Sequence, residues 1–151
     1  MRLMVQPDDG IGAILSAIRK ADTSIDIGIF RLDRGDVSKA LEAAAGRGVL
    51  VRTLIANTNR GGGKRLRKLE QSLLKKGAGV RRTDDDLHRY HNKIMIVDRT
   101  TLYVLGFNYT VLDVDESRSF GVVTKKRELV REAIKLFEAD SLRLSSTSST
   151  V

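Results

Sequence analysis

The chain has 151 residues, no cysteine and two histidines, and its 27 Lys and Arg residues outnumber its 19 Asp and Glu residues to give a net charge of +8. The length fits one domain with a core of its own, and the lack of cysteine excludes disulfides and thiolate metal sites. The excess positive charge favours an anionic partner, such as nucleic acid or an acidic lipid surface.

The sequence shows neither a membrane-spanning run nor a secretory leader pattern. No apolar stretch approaches the roughly 20 residues that a transmembrane helix needs, and the N-terminus lacks the regions of a signal peptide. We therefore expect a cytoplasmic protein, with peripheral binding at a membrane surface as the alternative.

The first third of the chain predicts alternating strands and helices. Residues 1–5, 24–30 and 49–56 have the apolar character of strands, and Asp36 is expected to cap the second of two helices. The helices are indicated by apolar residues at helical spacing, namely Ile11, Ile14, Leu15 and Ile18, then Val37, Ala40, Leu41 and Ala44. This βαβαβ order predicts a parallel sheet covered by helices.

Residues 64–76 predict a helix with a strongly basic face. Leucines recur on one side, while the other side and the preceding loop carry Arg60, Lys64, Arg65 and Lys68. Two interpretations stay open. The charges solvate an exposed helix face, or they form a patch that follows the backbone of a polyanion.

Residues 80–83 predict a short strand, and three consecutive carboxylates follow at Asp84, Asp85 and Asp86. Without a spaced partner they are more typical of an exposed turn than of a metal site. Since the chain offers only two histidines and no cysteine, we predict neither a bound metal nor another cofactor.

Residues 91–108 predict a β-hairpin with reactive residues at its open end. The apolar runs 94–97 and 102–105 flank a short polar break. If Arg99 and Thr100 form the turn, His91 faces Asn108, and Lys93 faces Gly106. His91 and Lys93 are two residues apart and therefore share one face of the strand.

This group of side chains suits phosphodiester chemistry. A neutral imidazole, here His91, can attack phosphorus. Lys93 supplies a positive charge and Asn108 supplies amide donors for the phosphate oxygens, while Gly106 leaves room for a phosphate near the backbone. An ordinary hairpin with polar ends is the simpler interpretation of any one of these residues, but four fixed residue types at fixed spacing favour a site.

The rest of the chain predicts supporting structure. Residues 109–117 are expected to form a loop and residues 118–123 a closing strand. An amphipathic helix is indicated by Val130, Ala133, Ile134 and Phe137. The Ser/Thr-rich residues 144–151 are expected to be a disordered tail.

Residues 91–108 resemble the signature of the phospholipase D superfamily, which is His-x-Lys, four residues, Asp, then six residues and Gly-Ser-x-Asn. Leu105 and Gly106 stand at the Gly-Ser positions, so the hydroxyl that the family places beside the phosphate is absent here. The positions that match are His91, Lys93, Asp98 and Asn108.

The resemblance implies a fold and roles for the matching residues. We expect one α/β domain over residues 1–143, with a mixed, mostly parallel sheet flanked by helices on both faces. Family members use the His as nucleophile or general acid, and the Lys and Asn as phosphate ligands. Those roles carry over to His91, Lys93 and Asn108.

Supporting roles are assigned to Asp98, Ser119 and Glu116, with Asp115 as the alternative to Glu116. Asp98 lies an odd number of residues from Lys93, so a regular strand puts it on the other face as a structural residue. Relatives often carry, near the position of Ser119, a carboxylate that orients the catalytic imidazole. In this sequence Glu116 or Asp115 is the expected replacement.

The sequence contains one His-x-Lys, whereas most family members carry two. A small bacterial endonuclease subgroup with one motif builds its site by homodimerisation, which predicts a homodimer here. The chain could instead be one half of a two-motif protein.

The leading hypothesis is a metal-independent phosphodiesterase that works through a phosphohistidine. Its substrate is expected to be nucleic acid or an anionic phospholipid, with a nuclease favoured. One alternative is a half-domain of a phospholipase D or of a cardiolipin-synthase-like phosphatidyltransferase. The other is a polyanion-binding module without catalysis.

Overall fold

Seven strands form one mixed sheet in the computed structural model of the chain, which describes residues 1–55, 63–75, 79–82 and 91–147. Across the sheet the strand order is β1-β7-β6-β5-β2-β3-β4. The strands are β1 (Arg2–Gln6), β2 (Ser24–Ile29), β3 (Leu50–Ile55), β4 (Gly79–Arg82), β5 (Lys93–Val97), β6 (Thr101–Leu105) and β7 (Ser119–Thr124).

The pairing changes from parallel to antiparallel at β2. The pair β2–β3 is parallel, as the βαβαβ pattern predicts, and the pair β3–β4 is parallel as well. The first strand of that pattern, β1, does not pair with β2 but lies at the edge of the sheet beside β7. The other four pairs, from β2–β5 through to β7–β1, are antiparallel. The predicted α/β class with a mixed sheet is confirmed, but neighbouring strands are antiparallel more often than predicted, because β5, β6 and β7 alternate in direction and pair antiparallel with β2 and β1 at either side.

Helices cover both faces of the sheet, as predicted. α1 and α2 pack Ile14, Ile18 and Leu41 against the odd-numbered isoleucines of β2, while α5 packs Val130 and Phe137 on the opposite face. The helices are α1 (Gly12–Lys20), α2 (Gly35–Gly46), α3 (Gly63–Lys75), α4 (Val111–Asp115) and α5 (Arg127–Thr147). In the described part of the chain, none of them combines the length and the apolar composition that a membrane crossing requires.

The hairpin turn between β5 and β6 has three residues, Asp98 to Thr100, and not the two predicted, Arg99 and Thr100. Val97 pairs with Thr101 across the turn, so the numbers of facing residues add to 198 and not to 199. Asp98 and Arg99 have positive φ values of 54° and 57°. The Asp98 carboxylate accepts hydrogen bonds that hold this residue in the left-handed region.

Three other local predictions differ from the structure. Asp36 lies inside the first turn of α2 and pairs with Arg34, which itself occupies the N-cap position. Residues 109–117 contain the short helix α4. The helix α5 runs to Thr147, four residues into the predicted tail, because extending an existing helix needs no new nucleus; residues 148–151 lie outside the described residues.

Candidate active site

His91 and Lys93 lie together where β5 begins. The Lys93 Nζ is 3.1 Å from each ring nitrogen of His91 and donates to the His91 carbonyl oxygen at 3.2 Å. Lys93 is only 7% exposed, whereas His91 is exposed. Since an ammonium group can only donate, a ring nitrogen that accepts from it must be unprotonated, and the arrangement therefore suits a neutral, accessible imidazole.

Phe30, directly after β2, forms an apolar wall of this corner. Its ring centre is 5.0 Å from that of His91 and 5.7 Å from the Lys93 Nζ. The Arg31 guanidinium lies 5.4 Å from the same ring. The aromatic face attracts both cations and packs against the imidazole, so it restricts where His91 can point.

The Asn108 side chain is held at the end of β2 by hydrogen bonds from both sides. Its Oδ1 accepts from the Arg31 amide at 2.9 Å, and its Nδ2 donates to Asp113 Oδ2 at 2.9 Å. The chain next to it is fixed as well, because the Tyr109 amide donates to the Arg31 carbonyl oxygen. One N–H of the Asn108 amide is used by Asp113, and the second has no partner in the described part of the chain, so it can donate to a ligand.

The structure thus brings the three predicted reactive residues to one end of the sheet. His91 and Lys93 touch directly, and the segment Phe30–Arg31 connects them to Asn108. This end is the carboxyl end of the parallel strands β2 and β3, where open α/β sheets bind ligands.

Asp113 is a site residue that the sequence analysis missed. Besides Nδ2, it accepts the Asn108 backbone amide at 2.8 Å, and its own amide donates to Thr110 Oγ1 at 3.1 Å. Thr110-Val-Leu-Asp113 has the Thr-x-x-Asp spacing of a helix start, and that signal could have predicted both α4 and the position of Asp113.

The side chains predicted to orient the imidazole lie on α4 and at its end. Asp115 pairs with Arg34 at 2.6 Å, and Glu116 is exposed beyond the end of α4. The Ser119 hydroxyl donates to the Asp113 carbonyl oxygen at 3.4 Å, so it supports the segment that carries Asp113.

Gly106 is needed for close contact between two strands. Its amide donates to the Phe120 carbonyl oxygen at 2.7 Å, and a Cβ at this position would lie 2.7 Å from the same oxygen. A side chain would force β6 and β7 apart, a physical reason for glycine that the sequence analysis did not foresee.

Asp98 lies at the opposite end of β5, away from His91. Its carboxylate accepts the amides of Asp22, Thr23 and Ser24 and so ties the hairpin turn to the start of β2. Burial raises the pKa of Asp98, but these hydrogen bonds outweigh burial and leave the pKa below its usual value.

The predicted basic patch is described only in part. Lys64, Arg65 and Lys68 belong to α3, and Lys68 is exposed. Arg60 and the side chains of Lys64 and Arg65 lie outside the described residues, as do His88 and residues 84–86.

A mixed sheet between helices, with the His-x-Lys pair at the carboxyl end of its parallel strands, defines a phospholipase D-like domain. A family model described as "Cardiolipin synthase, PLD-like domain" matches residues 14–141. The chain belongs to this phospholipase D-like family, so the resemblance predicted from residues 91–108 is confirmed.

Known relatives include a mitochondrial cardiolipin hydrolase and two solved structures. The hydrolase, from Danio rerio, is 29% identical over 140 residues, which are 88% of this chain and 60% of the hydrolase. The chain therefore spans about three fifths of that relative.

Both solved structures cover the chain almost completely. Nuc from Salmonella typhimurium, a phospholipase D family member, has a TM-score of 0.81 at 25% identity and covers 92% of this chain and 91% of its own. NucT from Helicobacter pylori has a TM-score of 0.75 at 18% identity, covers 95% of each chain, and supports the fold alone.

Proposed function

We propose that the chain cleaves phosphodiesters without a metal, through a phosphohistidine on His91. The observation that carries this proposal is the contact between the buried Lys93 ammonium and the exposed His91 ring. A nucleophile and a fixed positive charge at one point are what attack on an anionic phosphorus requires.

The reaction proceeds in two displacements. A His91 ring nitrogen forms a bond to phosphorus, the bond to the leaving oxygen breaks, and a second imidazole donates a proton to that oxygen. Water, deprotonated by the second imidazole, then attacks phosphorus and the P–N bond breaks. Lys93 and the free N–H of Asn108 donate to the non-bridging oxygens, where negative charge accumulates.

The second imidazole comes from another copy of the chain in this proposal. His88, the other histidine of the sequence, lies outside the described residues, so the proposal takes the second imidazole from His91 of the other copy. A twofold axis beside the site would place two His91 rings across one phosphate.

Exposed apolar side chains on the elements that adjoin the site support this homodimer. Val111, Leu112 and Phe120 are all more than half exposed. They adjoin Asn108 and Gly106 through α4 and β7. Large apolar side chains that are exposed near a site favour contact with a partner surface.

Subunit mixing tests the shared site. With equal amounts of wild-type and His91→Ala chains, full exchange should leave about a quarter of the dimers as active wild-type pairs. Compared with wild-type protein at the same total chain concentration, a residual activity of about one half would show independent sites and contradict the proposal.

Nucleic acid is the favoured substrate and the cytoplasm the favoured location. The net charge of +8 and the exposed Lys68 on α3 support a polyanion. The lipid alternative, including a half-domain of a phosphatidyltransferase, is supported by the description of the matching family and by the relative named for cardiolipin.

A generic aryl phosphodiester tests the chemistry without assuming either substrate. Wild-type protein should hydrolyse it in excess chelator, and His91→Ala should not. Lys39→Ala is the matched control, because Lys39 is exposed on α2. Activity lost in chelator and restored by a divalent cation would overturn the proposed mechanism.

A further inference from the structure

Two cavities open at the end of the sheet that lies away from His91. We call this end the turn edge and define it by Arg99, Thr100 and residues 124–127, since Leu102 pairs with Thr124 beside the hairpin turn. From Lys93 to the end of β5 the strand rises by roughly 13 Å. The turn edge is therefore separate from the site that contains His91, Lys93 and Asn108.

The first cavity is lined largely by positive side chains. It has a volume of about 510 Å³, and Val130 and Ile134 of α5 form its apolar part. Its cationic lining residues are Arg99, Lys125, Arg127, Arg131 and Lys135.

Only two of these five cations have an acidic partner in the described part of the chain. Lys135 pairs with Glu132 at 3.2 Å, and Arg99 lies 3.6 Å from Glu138. Lys125, Arg127 and Arg131 are exposed and have no acidic partner there. Unpaired like charges around one cavity repel one another, and a bound anion would relieve that repulsion.

The second cavity continues this charge around the edge of the sheet. It has a volume of about 530 Å³, shares Lys125 with the first, and adds Arg2 and Lys20 from the other side. Asp98 also lines it, but the Asp98 carboxylate accepts amides from the start of β2. Positive side chains therefore follow the turn edge from one face of the sheet to the other.

We propose that the turn edge binds the phosphate backbone of a polynucleotide. The cations are exposed and sit on long side chains, as is typical of contacts that follow a backbone. In the first cavity, Thr100 is the one uncharged polar lining residue that the structure describes, so binding there depends mainly on charge.

The arrangement of the cations along the turn edge favours binding of a polynucleotide over binding of a membrane surface. A flat anionic bilayer would meet cations in one plane, whereas these cations pass around an edge. The inference rests on the nuclease form of the proposed function, and it adds a binding region that takes no part in the cleavage chemistry.

Binding of a fluorescent DNA duplex to full-length His91→Ala protein tests this site without cleavage. In that background, Lys125→Glu and Arg131→Glu should each weaken binding at least about fivefold, and each should reduce the slope of log K against log salt by about one. Lys39→Glu makes the same change in net charge on α2 and should shift the affinity less than about twofold.

The outcomes separate this site from its alternatives. If Lys39→Glu and Arg131→Glu weaken DNA binding equally, the net charge of the protein alone would explain the affinity, and the proposal would be overturned. Unchanged DNA binding with lost binding to phosphatidylglycerol vesicles would overturn it in favour of a membrane surface.

Aryl diester turnover by the same charge variants with His91 intact should be unchanged. A wild-type chain that is inactive in that assay would contradict the proposed catalysis, not this site.

Discussion

The two ends of the central strands carry polar residues of contrasting kinds. At the end that carries His91, which we call the reactive end, Lys93 and Asn108 are buried. Each makes hydrogen bonds to side-chain and backbone atoms. At the turn edge, Lys125 and Arg131 are exposed on long side chains. Chemistry at phosphorus needs catalytic groups that are held in a fixed position. Attraction of a polyanion needs only positive side chains that can change position to meet the phosphates.

Removing a group at the reactive end should therefore have the larger effect on catalysis. Lys93→Ala and Asn108→Ala should each lower kcat by about 10² to 10³, because each removes a donor to the charge that develops on phosphate. Hydrolysis of the aryl diester measures this loss. Thermal melts serve as the control for Lys93→Ala, which removes a buried side chain, and a folded variant with unchanged kcat would contradict its role.

Asp113 should have a smaller effect, because it acts through Asn108. Asp113→Ala removes the acceptor for two Asn108 donors, and we expect kcat to fall by about tenfold to a hundredfold. Glu116→Ala is the matched control, since Glu116 is an exposed carboxylate at the end of the same helix. A larger loss in Glu116→Ala would restore Glu116 as the orienting carboxylate expected from the sequence.

Asp98 should affect stability and leave the chemistry intact. Asp98→Asn should lower the free energy of unfolding by about 1–2 kcal/mol at neutral pH, because it weakens charge-assisted hydrogen bonds to the loop before β2. Asp22→Asn removes an exposed charge from that loop and is the control.

The pH dependence of this effect has a defined sign. The folded-state pKa of Asp98 is lowered, so its stabilisation is present above the ordinary carboxyl pKa and is lost as pH falls through the folded-state value. In urea unfolding, the difference between wild type and Asp98→Asn should shrink as the pH is lowered towards about 3. A difference that stays constant over this range would contradict the assigned role.

Residue types and their periodicity predicted much of this architecture. Alternating isoleucines predicted β2, and the two-residue spacing of His91 and Lys93 predicted their shared corner. The turn was misplaced because Arg99 is unusual at positive φ, and it is accommodated next to an Asp98 anchored by residues distant in sequence. Phe30 was missed for a similar reason, since its contact with His91 joins segments far apart in the chain.

Trapping the covalent intermediate tests the central claim most directly. Wild-type protein mixed with a diester labelled on the retained phosphoryl group, and quenched in base, should carry a label that is base-stable, acid-labile and located on His91. The His91→Ala protein should carry none. A label of the same stability on His91→Ala protein would show that another residue attacks phosphorus and would contradict the account.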